Sequence, residues 1–205
     1  MDDIVVITLF RHGLTEENKR HAYLGWNDSP LLLEENERLS KLQFRDEIVF
    51  SSDLGRCLVT AAILFPAKTP EVITEFRELH FGEWEGKTYA ELAHDVLYQQ
   101  WLNDFYSVRP PEGESFQEFA QRVNDGWEKV KNTLEENNQV RATIITHGGV
   151  IKYLLSQFAP EEKEFSDWIV PHGNGFELIW KNDRWRRGER CISLQEVPLM
   201  ANPDG

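Results

Sequence analysis

Two short runs hold histidines that could carry covalent chemistry. Arg11-His12-Gly13 follows the apolar stretch Ile4 to Phe10, and His147-Gly148-Gly149 follows the stretch Arg141 to Thr146. A neutral imidazole is available as a nucleophile near neutral pH, provided its other ring nitrogen is held by an acceptor. Arg56 lies in the first turn of a helix predicted after Ser51-Ser52-Asp53. A guanidinium pairs its planar fork with two oxygens at once, which suits phosphate. Backbone N–H groups in glycine loops and at helix N-termini favour the same ligand, and Gly13, Gly148 and Gly149 are candidates to offer them. Singly, each residue has a plainer reading: a histidine after a strand is usually structural, and an arginine in a first turn is usually solvated. Together, Arg11, His12, Arg56 and His147 read as an anion site containing a nucleophile.

They act together only if the chain gathers them. Ile4 to Phe10 is almost continuously apolar and β-branched, as a central strand covered on both faces would be. Arg141 to Thr146 reads the same way. Shorter strands are predicted at Glu47 to Phe50 and Glu71 to Thr74. Helices are predicted at Glu34 to Phe44, at Asp53 to Phe65 with Asp53 as N-cap, from Thr88 through Ala93, and at Gly149 to Phe158. Ser115-x-x-Glu118 is a capping box. Behind it Phe116, Phe119, Val123, Trp127, Val130 and Leu134 form one apolar stripe of a long helix. Gly13 to Pro30 reads as a long polar loop, a type that is often functional. Phe176 to Trp180 and Trp185 to Gln195 read as a hairpin around residues 181–184. The tail from Pro198 is expected to fray.

This alternation predicts an α/β fold: a three-layer αβα sandwich with a mostly parallel central sheet, an antiparallel edge near the C-terminus and a small helical insertion. Residues 1–205 read as a single domain, with about 75–138 contributing a helical cap-like subdomain. Ligands of such sheets lie at the carboxyl ends of the strands. That rule puts His12, His147 and the Ser51–Arg56 segment on one edge.

The composition narrows the partners. With 22 Lys+Arg against 35 Asp+Glu, the net charge is −13, which disfavours nucleic acid and anionic membranes as ligands. The apolar stretch Ile4 to Phe10 is too short to span a bilayer, which takes about 20 residues. The acidic start, Met1-Asp2-Asp3, does not resemble a secretory signal. Cys57 and Cys191 match no zinc spacing and read as buried free thiols in a reducing, cytoplasmic compartment. No spacing of Asp, Glu and His suggests a metal, so neither metal nor cofactor is expected. Oligomeric state is left open.

The chain also resembles the histidine phosphatase superfamily, in its phosphoglycerate-mutase-like branch, over nearly its whole length. The resemblance rests on five blocks in family order: Arg11-His12-Gly13-Leu14-Thr15 with Asn18; Gly25-Trp26-Asn27-Asp28-Ser29-Pro30-Leu31; Ser51-Ser52-Asp53-Leu54-x-Arg56 with Thr60-Ala61; Arg77-Glu78-Leu79-x-Phe81-Gly82-x-Trp84-Glu85-Gly86; and Thr146-His147-Gly148-Gly149, preceded by Pro111-Glu112-Gly113-Glu114-Ser115. It implies that His12 is the nucleophile and becomes a phosphohistidine. Arg11 and Arg56 would hold the equatorial oxygens, and His147 would donate to a phosphoryl oxygen. Glu78 would be the proton donor, for which a partly desolvated carboxyl with raised pKa is suited. Gly13, Thr15, Asn18 and Gly148 would complete the phosphate cradle. Leu14 stands where the family commonly has Glu, so a substrate contact at that position is in doubt.

Three functions follow as expectations. The first is a metal-independent phosphomonoesterase, of the histidine acid type, acting on a small phosphorylated metabolite. The second is a cofactor-dependent phosphoglycerate mutase, and the third a catalytically silent phosphate-binding module. The filled chemical positions disfavour the third. The short segment between Phe81 and Ser115, without an evident basic insert, favours the phosphatase over the mutase. The blocks around Trp84 and Gly113 are similar to those of broad-specificity and α-ribazole-phosphate phosphatases. Spacing alone does not separate Glu78 from Glu83 and Glu85 as the acid. Tyr23, Trp26, Phe81, Trp84, Trp101, Phe105 and Tyr106 are candidates for an aromatic pocket wall, with ordinary packing as the alternative.

Overall fold

In a computed structural model, which describes residues 4–42, 44 and 48–197, the chain forms one six-stranded mixed sheet with helices on both faces. The strands are β1 (Ile4–Arg11), β2 (Ile48–Ser51), β3 (Glu71–Val72), β4 (Arg141–Thr146), β5 (Gly175–Lys181) and β6 (Ser193–Val197), in the order β3-β2-β4-β1-β5-β6. β3, β2, β4 and β1 pair in parallel, while β5 runs antiparallel to both β1 and β6. This is the predicted mostly parallel sheet with an antiparallel C-terminal edge.

Strand alternation explains the two-sided core. Val5, Ile7 and Leu9 of β1 join Phe50, Ala142 and Ile144 in one cluster. Phe10, Val49 and Ile145 face the other way into a second. The first face is covered by α6 (Phe116–Glu136) and α7 (Gly148–Phe158), and the second by α2 (Leu33–Leu39) and α3 (Gly55–Leu64). The predicted stripe Phe119, Val123, Trp127, Val130 and Leu134 is buried on α6, and Phe116 packs partly buried beside it. Both halves of the Ser115/Glu118 capping box are formed. A third, smaller cluster of Trp84, Leu92 and Tyr98, with Tyr23, Phe81 and Trp101 against it, stands apart from the sheet core. Its helices are α4 (Tyr89–Leu92), capped by the Thr88/Glu91 box, and α5 (Val96–Asn103).

Several expectations are corrected. Asp53 does not cap the third helix. Leu54 occupies that position without a side-chain cap, and the Asp53 carboxylate accepts from Arg77 Nε at 2.8 Å and Nη2 at 2.5 Å. A two-pronged charged pair outweighs a single cap bond. The strand from Glu71 ends at Val72, because Thr74–Phe76 turns into a short 3-10 helix. The loop after Gly13 contains α1 (Glu16–Lys19), capped by Thr15. The last two strands do pair antiparallel, but a tight hairpin does not join them. Trp185 belongs to α8 (Asn182–Arg186) and buries its ring beside Trp127 and Trp180; burial of that indole displaces the turn. The predicted fraying tail and the residues around Glu47 lie outside the described residues, and the helix predicted from Glu34 ends at Leu39. Among the described residues no helix is long and apolar enough to cross a membrane.

Candidate active site

The site grows from the register of two neighbouring strands. Arg11 pairs with Thr146 across β1 and β4, and the His12 N–H donates to the Thr146 carbonyl at 2.9 Å. The residues that follow each strand are therefore side by side, and the rings of His12 and His147 lie 5.1 Å apart between centroids. α3 starts on the far side of β4 and brings in Arg56, whose side chain is fully buried. The helical turn after β3 brings in Glu78. Arg11, His12, Arg56, Glu78 and His147 thus stand at one sheet edge.

His12 is oriented by its own turn. Its Nδ1 donates to the Gly13 carbonyl at 2.8 Å, so Nε2 is the free nitrogen. Burial keeps the ring neutral well below the usual histidine range, with the charges of Arg56 and Arg11 acting in the same direction. His147 is depressed by burial first and by Arg56 next, and its Nε2 shares a hydrogen bond with Ser52 Oγ at 3.0 Å. The Cys57 thiol lies 3.4 Å from the same nitrogen. Burial raises that thiol's pKa, so a neutral thiol, not a thiolate, faces the histidine. Both cysteines are free and buried.

The arginines are held by carbonyls. Arg11 Nη1 donates to Val170 at 2.6 Å, and burial brings its pKa down to about 10. Arg56 donates to Gly25 at 2.6 Å and Asn27 at 2.8 Å. Both Nε atoms are buried without a partner. The loop that receives Arg56 is itself pinned by Glu85, whose carboxylate accepts from the N–H groups of Gly25, Trp26, Asn27 and Phe81. Glu85 is therefore a loop clamp, and Glu83 is exposed.

Glu78 accepts from the Gly149 N–H at 2.9 Å and the Leu79 N–H at 3.0 Å. A Cβ on Gly149 would collide with this carboxylate, which is a steric reason for glycine there. Its backbone is fixed from outside. The Glu78 carbonyl accepts from Trp26 Nε1, and Arg122 reaches the carbonyls of Glu75, Arg77 and Glu78 while paired with Glu114 at 2.6 Å.

The cradle is partly committed to protein partners. The Gly13 N–H donates to Thr60 Oγ1 at 3.0 Å, and that hydroxyl donates to the Arg56 carbonyl. Thr15 and Asn18 bond each other at 2.8 Å. Gly148 packs under the Arg11 guanidinium, where an added Cβ would stand 3.0 Å from Cζ. Of the predicted aromatic wall, Trp26 donates through Nε1 to the Glu78 carbonyl, its ring tilted against His80 with Arg77 above it. Tyr23, Phe81, Trp84 and Trp101 pack in the small cluster, and Phe105 and Tyr106 against Phe116. Sequence reading missed Ser52 and Thr60 as partners, Arg122 as a clamp, and His172, whose ring lies 5.2 Å from that of His12. Among the described residues no group of His, Cys, Asp and Glu is arranged to hold a metal ion.

The buried imidazoles of His12 and His147 and the half-buried one of His172 have a measurable consequence. The unfolded chain protonates them below about pH 6.5, whereas the fold holds them neutral. Their contribution is complete above that pH and is lost as pH falls, by about 1.4 kcal/mol per unit for each ring. Tm should fall from about pH 6.5 to about pH 5, above the carboxylate range. A flat Tm over that window would mean that the rings are charged in the folded protein.

A mostly parallel α/β sheet with two imidazoles and two guanidiniums converging at its carboxyl edge defines a phosphoryl-handling class of protein. The model of the histidine phosphatase superfamily (branch 1) matches residues 7–189, and the chain belongs to that family. It is 29% identical over 158 residues to an adenosylcobalamin/alpha-ribazole phosphatase of Escherichia coli K12, covering 73% of this chain and 76% of the relative. It is 30% identical over 159 residues to a "probable phosphoglycerate mutase GpmB" of Escherichia coli O1:K1, covering 73% of each. Similar solved structures are the alpha-ribazole phosphatase of Shigella flexneri (TM-score 0.74, 26% identity, 84% of this chain and 89% of that one) and a phosphoglycerate mutase of Thermus thermophilus (TM-score 0.70, 30% identity, 92% and 97%).

Proposed function

We propose that this protein is a phosphomonoesterase of the histidine acid type, acting in the cytoplasm on a small phosphorylated metabolite through a phosphohistidine. One observation carries the reading: a buried His12 whose Nδ1–H is fixed on the Gly13 carbonyl and whose ring is kept neutral. In the first half-reaction Nε2 attacks phosphorus, the ester P–O bond breaks, and Glu78 protonates the leaving oxygen. In the second, Glu78 takes a proton from water, which attacks the phosphohistidine and releases phosphate. Arg11 and Arg56 balance the charge on the phosphoryl oxygens and the neutral His147 donates to one of them, because phosphoryl transfer is mostly positioning and charge stabilisation. Thr15 and Asn18 shape the loop over the site, Gly148 seats Arg11, and the Gly13 carbonyl orients the nucleophile.

The mutase is the second reading, favoured by the relatives of that name. A screen of phosphomonoesters that includes α-ribazole phosphate and 3-phosphoglycerate, with phosphate release and isomer formation both followed, separates the two. Phosphate release without isomerisation supports the phosphatase; isomerisation outpacing release overturns it. The cationic groups suffice for the chemistry, so EDTA-treated enzyme should retain full activity. Activity lost to EDTA and restored by a divalent ion would point to a different mechanism.

A further inference from the structure

Three of the buried side-chain atoms without a hydrogen-bond partner belong to residues grouped around His12: Arg11 Nε, Arg56 Nε and His172 Nδ1. Buried polar atoms are nearly always partnered, and an orphan calls for a reason, such as a ligand. A phosphoryl group supplies that reason for the two arginines. His172 stands in the same place. Its ring lies 5.2 Å from His12 on centroids, as close as His147 at 5.1 Å, so two imidazoles flank the candidate nucleophile.

The chain around His172 is pinned as a site residue requires. The Gly173 N–H donates to the His12 carbonyl at 3.1 Å, and the Arg11 N–H donates to the Asn174 carbonyl at 2.8 Å. Arg38 Nη2 donates to the carbonyls of His172 and Gly173 at 3.2 and 3.0 Å. Arg38 is in turn gripped by the buried Glu35 through Nε at 2.9 Å and Nη2 at 2.8 Å. Gly173 makes the turn at φ +61, a left-handed conformation that glycine adopts without strain. His172 is thereby held against the ends of β1 and of the loop bearing Val170.

We propose that His172 is a further phosphoryl-binding residue, donating one ring N–H to a non-bridging oxygen of the group as it passes between substrate and His12. This rests on His12 being the phosphoryl acceptor. His172 keeps its proton throughout: the ester P–O bond breaks, the P–N bond to His12 forms, and the imidazole stays a neutral donor. Burial, then Arg11, hold it down to about 3 against the nearby His12 backbone carbonyl, which acts the other way, and this agrees with a neutral ring beside two guanidiniums.

The test uses the full chain with orthovanadate and inorganic phosphate as probes. His172→Phe keeps a ring and removes the donor, while His172→Asn sets an amide N–H near the place of Nδ1. A hydrogen bond to a charged group corresponds to roughly 10- to 100-fold in affinity. His172→Phe should lose that much in orthovanadate affinity and in kcat/KM, and His172→Asn should recover most of it. Should His172→Phe fail to fold, the wild-type imidazole N–H signal, assigned by its absence in His172→Asn, should shift on addition of phosphate. Unchanged orthovanadate affinity in His172→Phe, an Asn variant as weak as the Phe variant, or a ring signal indifferent to phosphate would overturn the proposal. Anion affinity is read without turnover, so failure of the phosphohistidine reading would register separately, as the absence of a phosphoenzyme in wild-type protein.

Discussion

His12→Ala should abolish turnover and the acid-labile phosphoenzyme, with a loss on the order of 10⁶-fold, the scale seen when a covalent nucleophile is removed. The fold should survive. The stability lost to an unpartnered Gly13 carbonyl is about 1–3 kcal/mol. His12→Asn is the sharper variant, because its amide can still donate to that carbonyl but has no second nitrogen to attack phosphorus. If the Asn variant is folded and inactive, the loss belongs to Nε2. Radiolabelled phosphate still incorporated by either variant would show that another group is the acceptor.

Glu78→Gln should slow phosphorylation by roughly 10²- to 10⁴-fold on a substrate with a poor leaving group, the usual worth of general acid catalysis. On p-nitrophenyl phosphate the loss should shrink, since that phenolate departs unprotonated. Single-turnover measurement isolates this step from dephosphorylation, which also needs Glu78. The neighbouring glutamates should behave differently. Glu83 is exposed, and Glu83→Gln should leave both substrates unaffected. Glu85 accepts four backbone N–H groups in the loop that receives Arg56. Glu85→Gln should therefore impair both substrates alike, by loosening an arginine rather than withholding a proton. A leaving-group-dependent loss at Glu85 or Glu83 and none at Glu78 would reassign the acid.

Much of this site was legible because its parts are local. A strand is announced by a run such as Ile4 to Phe10, and the residue after it falls at the carboxyl edge whatever else the chain does. That put His12 and His147 on one edge of a mostly parallel sheet; the direct pairing of β1 with β4 then made them neighbours. The capping box at Ser115, the helix start at Thr88 and the stripe on α6 were readable for the same reason: three- and four-residue spacing is set by helix geometry alone.

What the tertiary structure decided is long-range. Asp53 was free by sequence to cap a helix, and only the approach of Arg77, 24 residues on, offered a stronger partner. Glu85 was one of three candidate acids by spacing, and only the folding of residues 25–27 over its carboxylate made it a clamp. Trp185 took the hairpin's place because a partner surface, Trp127 and Trp180, was there to bury it. His172 precedes its strand, so the carboxyl-end rule passes over it. β5 runs antiparallel to β1, and the start of an antiparallel strand lies at the edge where its parallel neighbours end. Sequence determined which residue types wait at the ends of which strands. Strand direction and the competition among distant partners for each buried charge and indole determined which of them meet at His12.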